Sequence, residues 1–188
     1  MGAGALLRIR RFDAGYVEQV ALADETQIVL RSLGPGDDVR IAGLFGRLSP
    51  RSRRQRFLYG KSTLTGNELH ALSDLDGEQR FAIAACLSAP GGLLIGIVRL
   101  AVYEGQPEVA EVAISIADEL QRHGLGRLLL RRIFAAARER GVKTVHLDVL
   151  DENAAMLGLI RAEAPSAHRS LPSLGVVAVD VALPAAPN

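Results

Sequence analysis

The chain has 188 residues, of which 48% are hydrophobic and 23% charged, with a formal net charge of +1 at pH 7. That suits one globular domain and gives no overall electrostatic bias toward nucleic acid. Its apolar runs fall far short of the ~20 residues that cross a bilayer, and a single cysteine, Cys86, excludes an internal disulfide, so a soluble, cytoplasmic protein with no membrane partner is expected.

Leu6 and Leu7 precede Arg8, Arg10 and Arg11, the reverse of a secretory signal. Residues 1–24 have a mixed pattern and are read as an N-terminal extension, residues 25–184 as the domain and residues 185–188 as a tail. The run TQIVLRS from Thr26 to Ser32 predicts a first strand, and the following turn offers Asp37 or Asp38 as a helix cap. Val39, Ile41, Leu44, Phe45 and Leu48 recur at helical spacing. Ser49-Pro50 then predicts a second helix, capped by Ser49, with Pro50 at its first position. Thr65 and Glu68 have capping-box spacing at the start of a third helix reaching about Ser73.

From Phe81 the texture becomes extended. FAIAACLSA and LLIGIVRLAVY around Pro90-Gly91-Gly92 predict a hairpin, and EVAEVAISIA a third antiparallel strand. Leu129, Leu130, Ile133, Phe134 and Ala137 form one stripe of a helix over residues 126–140. Residues 143–150 predict a strand, residues 151–162 a short helix started by Asp151, and GVVAVDVAL a last strand. The fold class is thus mixed α/β (α+β), a mostly antiparallel central sheet flanked by helices.

The loop Gln121-Arg122-His123-Gly124-Leu125-Gly126 carries the chemistry. It joins a strand to the free N–H groups of a helix's first turn, a setting that attracts phosphate, and its glycines remove side chains that would block the backbone. A dinucleotide fingerprint requires a third glycine where Leu129 stands, and no acidic residue follows in an evidently parallel β–α–β setting. Gly60-Lys61-Ser62 is no P-loop, because that motif requires glycine where Gln55 stands. The remaining pattern, Gln/Arg-x-x-Gly-x-Gly/Ala, is matched at every defined position.

On this loop, and on the order of elements around it, the chain from about Thr26 to Leu183 resembles the GCN5-related N-acetyltransferase (GNAT) superfamily. The resemblance implies acetyl-CoA as cosubstrate. It also implies that amides around Arg122–Arg127 bind the CoA pyrophosphate, that Ile114, Ser115 and Ile116 pair with the pantetheine arm, and that Asn153 contacts CoA, a role that competes with a plain helix-start one. LFGRLSPRSRRQRF, LTGNELHALSDLD and AEVAISIAD are similar to bacterial Pat-type protein lysine acetyltransferases. That likeness implies a protein lysine as acceptor, as on an acyl-CoA synthetase.

An attacking lysine must lose a proton, since with a pKa near ~10.4 only roughly one in a thousand is neutral at pH 7. The resemblance places the catalytic glutamate at Glu111, where Val109, Ala110, Val112 and Ala113 are expected to desolvate the carboxylate. An exposed strand glutamate is the competing reading, and Glu108 and Glu104 are the runners-up. A backbone N–H near Ile116 is implied as the donor to the thioester oxygen. The tyrosine that many family members carry in the helix after the fifth strand has no counterpart, since the tyrosines are Tyr16, Tyr59 and Tyr103. That absence keeps open a non-catalytic acyl-CoA-binding regulatory module, and a small-molecule amine is the other acceptor class. The residues after Ile160, RAEAPSAHRSLPS, also depart from the family's Leu-Gly-Phe ending.

Arg47, Arg51, Arg53, Arg54 and Arg56 form the strongest basic cluster, read first as a solvated surface. His70, His123, His146 and His168 lack metal-ligand spacing with Cys or acids, so no metal is expected. A homodimer is compatible with the chain.

Overall fold

The computed structural model describes residues 11–89 and 91–184. In chain order the elements are β1 (Val17–Ala21), β2 (Gln27–Ser32), α1 (Asp38–Arg47), α2 (Pro50–Phe57), α3 (Gly66–Ser73), β3 (Arg80–Leu87), β4 (Leu94–Tyr103) and β5 (Gln106–Ile116). A short 3-10 turn, Asp118–Leu120, leads to α4 (Leu125–Glu139), β6 (Thr144–Leu150), α5 (Ala154–Glu163), β7 (His168–Arg169) and β8 (Val176–Ala182). The strands form one eight-stranded sheet in the order β1-β2-β3-β4-β5-β6-β8-β7. Every pairing is antiparallel except β5 with β6.

Alternation along the strands divides the core into two layers. Phe81, Ile83 and Ala85 of β3, Val98 and Leu100 of β4 and Ala110 and Val112 of β5 meet α4, which buries Leu125, Leu129, Leu130, Ile133 and Phe134. Each such leucine contributes roughly 1.5–3 kcal/mol of burial. Ala82, Ala84 and Cys86 turn the other way, against Ile41, Leu44 and Leu48 at α1. Alanines on that face let the helices approach the sheet closely.

α2 is built differently, for its sequence PRSRRQRF buries no residue fully. Ser49 Oγ accepts from Ser52 N at 3.2 Å and Pro50 opens the helix, as the sequence predicts. Arginine holds it in place: Arg53 donates to the carbonyls of Phe45, Gly46 and Ser62 and lies 4.4 Å above the Phe45 ring. Arg54 pairs with Glu152 at 2.6 Å and Arg47 with Glu119 at 3.6 Å. The basic cluster is therefore largely structural cross-linking, not the solvated face its spacing suggested.

Three local expectations change. Residues 17–21, assigned to the extension, are the edge strand β1, anchored where Glu18 takes a two-pronged bond from Arg132 of α4 at 2.9 and 2.7 Å. Asn153, not Asp151, caps α5, its Oδ1 accepting from Met156 N at 3.2 Å. Asp37 stands at the start of α1 without capping it, because its carboxylate is taken by Arg31, Arg40 and the amide of Gly34. The thirteen residues after Ile160 include the short strand β7, unforeseen in the sequence. Residues 1–10 and the tail 185–188 lie outside the described residues.

Candidate active site

β5 and β6 pair in parallel only at Val109–Thr144, Ala110–Val145 and Glu111–His146. Beyond that point β5 stays with β4 as far as Ile116, and β6 stays with β8 as far as Leu150. The two strands part, leaving facing edges of backbone with unpaired hydrogen-bonding groups. A cleft of about 700 Å³ opens between them, floored by Glu111–Ile116 and Leu147–Val149 and walled by α2 and α5.

The glycine loop closes one end. Arg122 (φ 68°) and Gly124 (φ 87°) both take the left-handed conformation, and Gly124 occupies the N-cap of α4. Among the described residues no side chain caps that helix, which leaves its first amides open toward the cleft. At Gly126 an added Cβ would lie 3.3 Å from Leu159 Cδ2 and 3.4 Å from Ile116 Cδ1, so glycine sets how closely α4 approaches α5 and β5. The loop thus sits in a β–α–β unit whose strands form the parallel pair of the mixed sheet. Leu129, where a dinucleotide site requires glycine, is fully buried and would stand 3.3 Å from a Cβ at Gly96.

Two polar side chains tie the cleft walls together. Asp118 accepts from Ser49 N at 3.3 Å and from Gln121 Nε2 at 3.1 Å, joining the α1–α2 corner to the glycine loop. Gln121 also donates to Ile116 O and Ser52 Oγ, each at 3.2 Å. Its amide therefore shapes the loop. Asp118 carries no motif, and only its position one turn before the loop could have marked it.

Of the residues singled out in the sequence, Glu111, Ile114, Ser115, Ile116, Gln121, Arg122, Gly124, Gly126, Arg127 and Asn153 all line the cleft. His123 turns away, its ring 3.2 Å from Asp24, and Leu125 is buried in the core, so neither lines the cleft. Arg127 pairs with Glu163 at 2.8 Å. Arg51 and Arg56 of α2 line the cleft as well.

Glu111 is exposed at the last paired position. The expected desolvation by its neighbours is not found, because Ala110 and Val112 point to the opposite face, into the α4 layer. Glu108 is held by Lys143 at 2.5 Å and Glu104 lies in the β4–β5 turn, so neither reaches the cleft. What the sequence did not reveal is the row beside Glu111. His146, its register partner, bonds Asp180 through Nδ1 at 2.7 Å and Asp148 through Nε2 at 3.3 Å, and its ring is 6.3 Å from that of Tyr103. Burial alone would lower the His146 pKa, but the Asp180 hydrogen bond and the charges of Asp148 and Asp180 raise it above the ordinary value. Burial, then the charges of Glu111, Asp148 and Asp180, pushes up the Tyr103 phenol.

Comparison with known proteins places this arrangement. The model of the acetyltransferase (GNAT) family matches residues 52–162. An acetyltransferase of Pseudomonas aeruginosa is 33% identical over 129 residues, covering 67% of this chain and 68% of that protein. The mycothiol acetyltransferase of Thermobifida fusca is 38% identical over 91 residues, which are 47% of this chain and 28% of that one. Among solved structures, the GNAT domain of PAT from S. lividans superposes with a TM-score of 0.79 at 27% identity, over 89% of this chain and 97% of the other. The chain belongs to the GNAT acetyltransferase family. It is an acetyl-CoA-dependent N-acetyltransferase with the family's fold.

Proposed function

We propose that the cleft between β5 and β6 receives acetyl-CoA and that the chain acetylates a protein lysine side chain. The observation that carries this reading is the parting of the two strands directly after Glu111, beside an uncapped helix N-terminus. The residues present fit the donor. The amides from Gly124 to Arg127 and the positive end of α4 suit a pyrophosphate, Arg51, Arg122 and Arg127 add full charges, and the free edge at Ile114, Ser115 and Ile116 suits an arm that carries amides. Bound acetyl-CoA supplies an activated acyl thioester.

Glu111 takes the proton of the acceptor ammonium. Its exposure keeps the carboxylate in contact with solvent, to which the proton passes on. Asp148 and Asp180 flank the same face, both bonded to His146. No tyrosine among the described residues lines the cleft, so solvent protonates the departing thiolate, as a thiol pKa near ~8.5 permits. Likeness to the PAT domain supports a protein acceptor, and an acyl-CoA synthetase lysine is the first to try.

Glu111→Gln is expected to lower kcat by about 10²–10⁴-fold with acetyl-CoA affinity unchanged. Mass spectrometry of a lysate incubated with acetyl-CoA and either protein reads both claims. Equal acetylation by the two would remove Glu111 from the base role, and acetylated small amines with no acetylated lysines would replace the acceptor.

A further inference from the structure

Beside the cleft lies a smaller pocket of about 40 Å³, enclosed by α1–α3 and by the face of β4 and β5 opposite α4. Leu48, Arg56, Ala113 and Ser115 line both spaces, so the pocket opens off the cleft. Ala113 and Ser115 share their face of β5 with Glu111 by strand alternation. Most of its other walls are apolar, Leu44, Phe45 and Ile97 among them, yet two guanidinium groups, Arg56 and Arg99, also line it.

No hydrogen bond or ion pair joins either group to a described residue. Arg99 Nε is buried with no partner, and Arg56 has only the Phe57 ring, 5.0 Å from its guanidinium carbon. Burial pushes both arginines below their ordinary range, and Glu111 is the carboxylate whose charge reaches both. Holding two partly buried cations beside each other with no partner is unfavourable unless an anion completes them, and a planar guanidinium matches a carboxylate in two-pronged fashion.

We infer that Arg56 and Arg99 form a carboxylate-binding subsite adjoining Glu111. The inference rests on the transferase reading and specifies its substrate. The subsite lies on the sheet face away from α4, whose N-terminus suits the phosphates. The carboxylate therefore enters either with the acceptor, as that of an amino acid or of an acidic residue beside the target lysine, or on the far end of the transferred acyl chain.

Calorimetry on the full chain separates the two sources. One arm compares succinyl-CoA with acetyl-CoA. The other, on protein saturated with CoA, compares L-leucine with L-leucinamide, and a lysine peptide flanked by glutamate with its glutamine counterpart. In at least one arm the wild type is expected to prefer the carboxylate-bearing member by about tenfold or more. Arg99→Gln is expected to abolish the preference and Arg99→Lys to retain part of it, both with acetyl-CoA affinity unchanged. Equal affinity within every pair, or a preference that survives Arg99→Gln, overturns the subsite. Arg99→Met reads structure separately: removal of a buried unpaired charge leaves Tm unchanged or raised, and a fall would make Arg99 a structural cation instead. Failure of the wild type to bind acetyl-CoA at all would overturn the transferase reading and not the arginine pair alone.

Discussion

At the scale of single residues, Glu111 and His146 are partners only because two strands remote in sequence pair at that position. Nothing in the segment TVHLDVL marks His146, whose neighbours Asp180 and Asp148 come from β8 and from two residues along its own strand. Its pKa is raised on folding, so its contribution to stability is fully present below the unfolded value near ~6.5 and is lost as pH rises through the higher folded value. Urea unfolding of wild type and His146→Gln should therefore differ most near pH 6, and the gap should narrow toward pH 8.5. A gap independent of pH would mean that the imidazolium is not the stabilising form. The strand that carries Glu111 was legible in the run EVAEVAISIA, whereas the exposure of Glu111 was not, because burial depends on which layer each neighbour faces.

At the scale of elements, the capping box at Thr65 and Glu68 and the Ser49 cap formed as read, since both are closed within one helical turn. α2 shows where local reading stops. Its arginines look like a charged surface in sequence, but three bonds from Arg53 and the contact with the Phe45 ring fix the helix beside the cleft. Arg53→Ala removes three charge-assisted bonds, to the carbonyls of Phe45, Gly46 and Ser62, a loss of about 2 kcal/mol. It should lower the urea midpoint and raise KM for acetyl-CoA, because Arg51, Ser52, Gln55 and Arg56 ride on the same helix. A lowered midpoint with unchanged KM would mean that α2 does not shape the donor site.

At the scale of the whole molecule, β1 binds the edge of the sheet to α4 through Glu18, Arg132 and Tyr16. The Arg132 hydrogen bond, opposed by burial and aided by Tyr16, lowers the Glu18 pKa to about 2. Its stabilisation is present above the unfolded value near ~4.3 and is lost as pH falls toward the folded one, on the order of 1–2 kcal/mol once solvent screening is allowed for. Glu18→Gln should flatten the acid limb of the stability curve between pH 5 and 2, and an unchanged acid limb would assign acid unfolding to other carboxylates. No helix of the described residues is long and apolar enough to cross a membrane.

The sequence by itself determined the helices, the caps at Ser49 and Thr65, most of the strand periodicity, the glycine loop and, through that loop, the family, because each rests on contacts between residues a few positions apart. Only the tertiary structure decided the rest. The recruitment of β1, the parting of β5 from β6 after Glu111, the His146–Asp180 pair and the unpartnered Arg56 and Arg99 depend on the register of strands brought together over long separations. That register is set by how the whole core packs, and no local pattern encodes it.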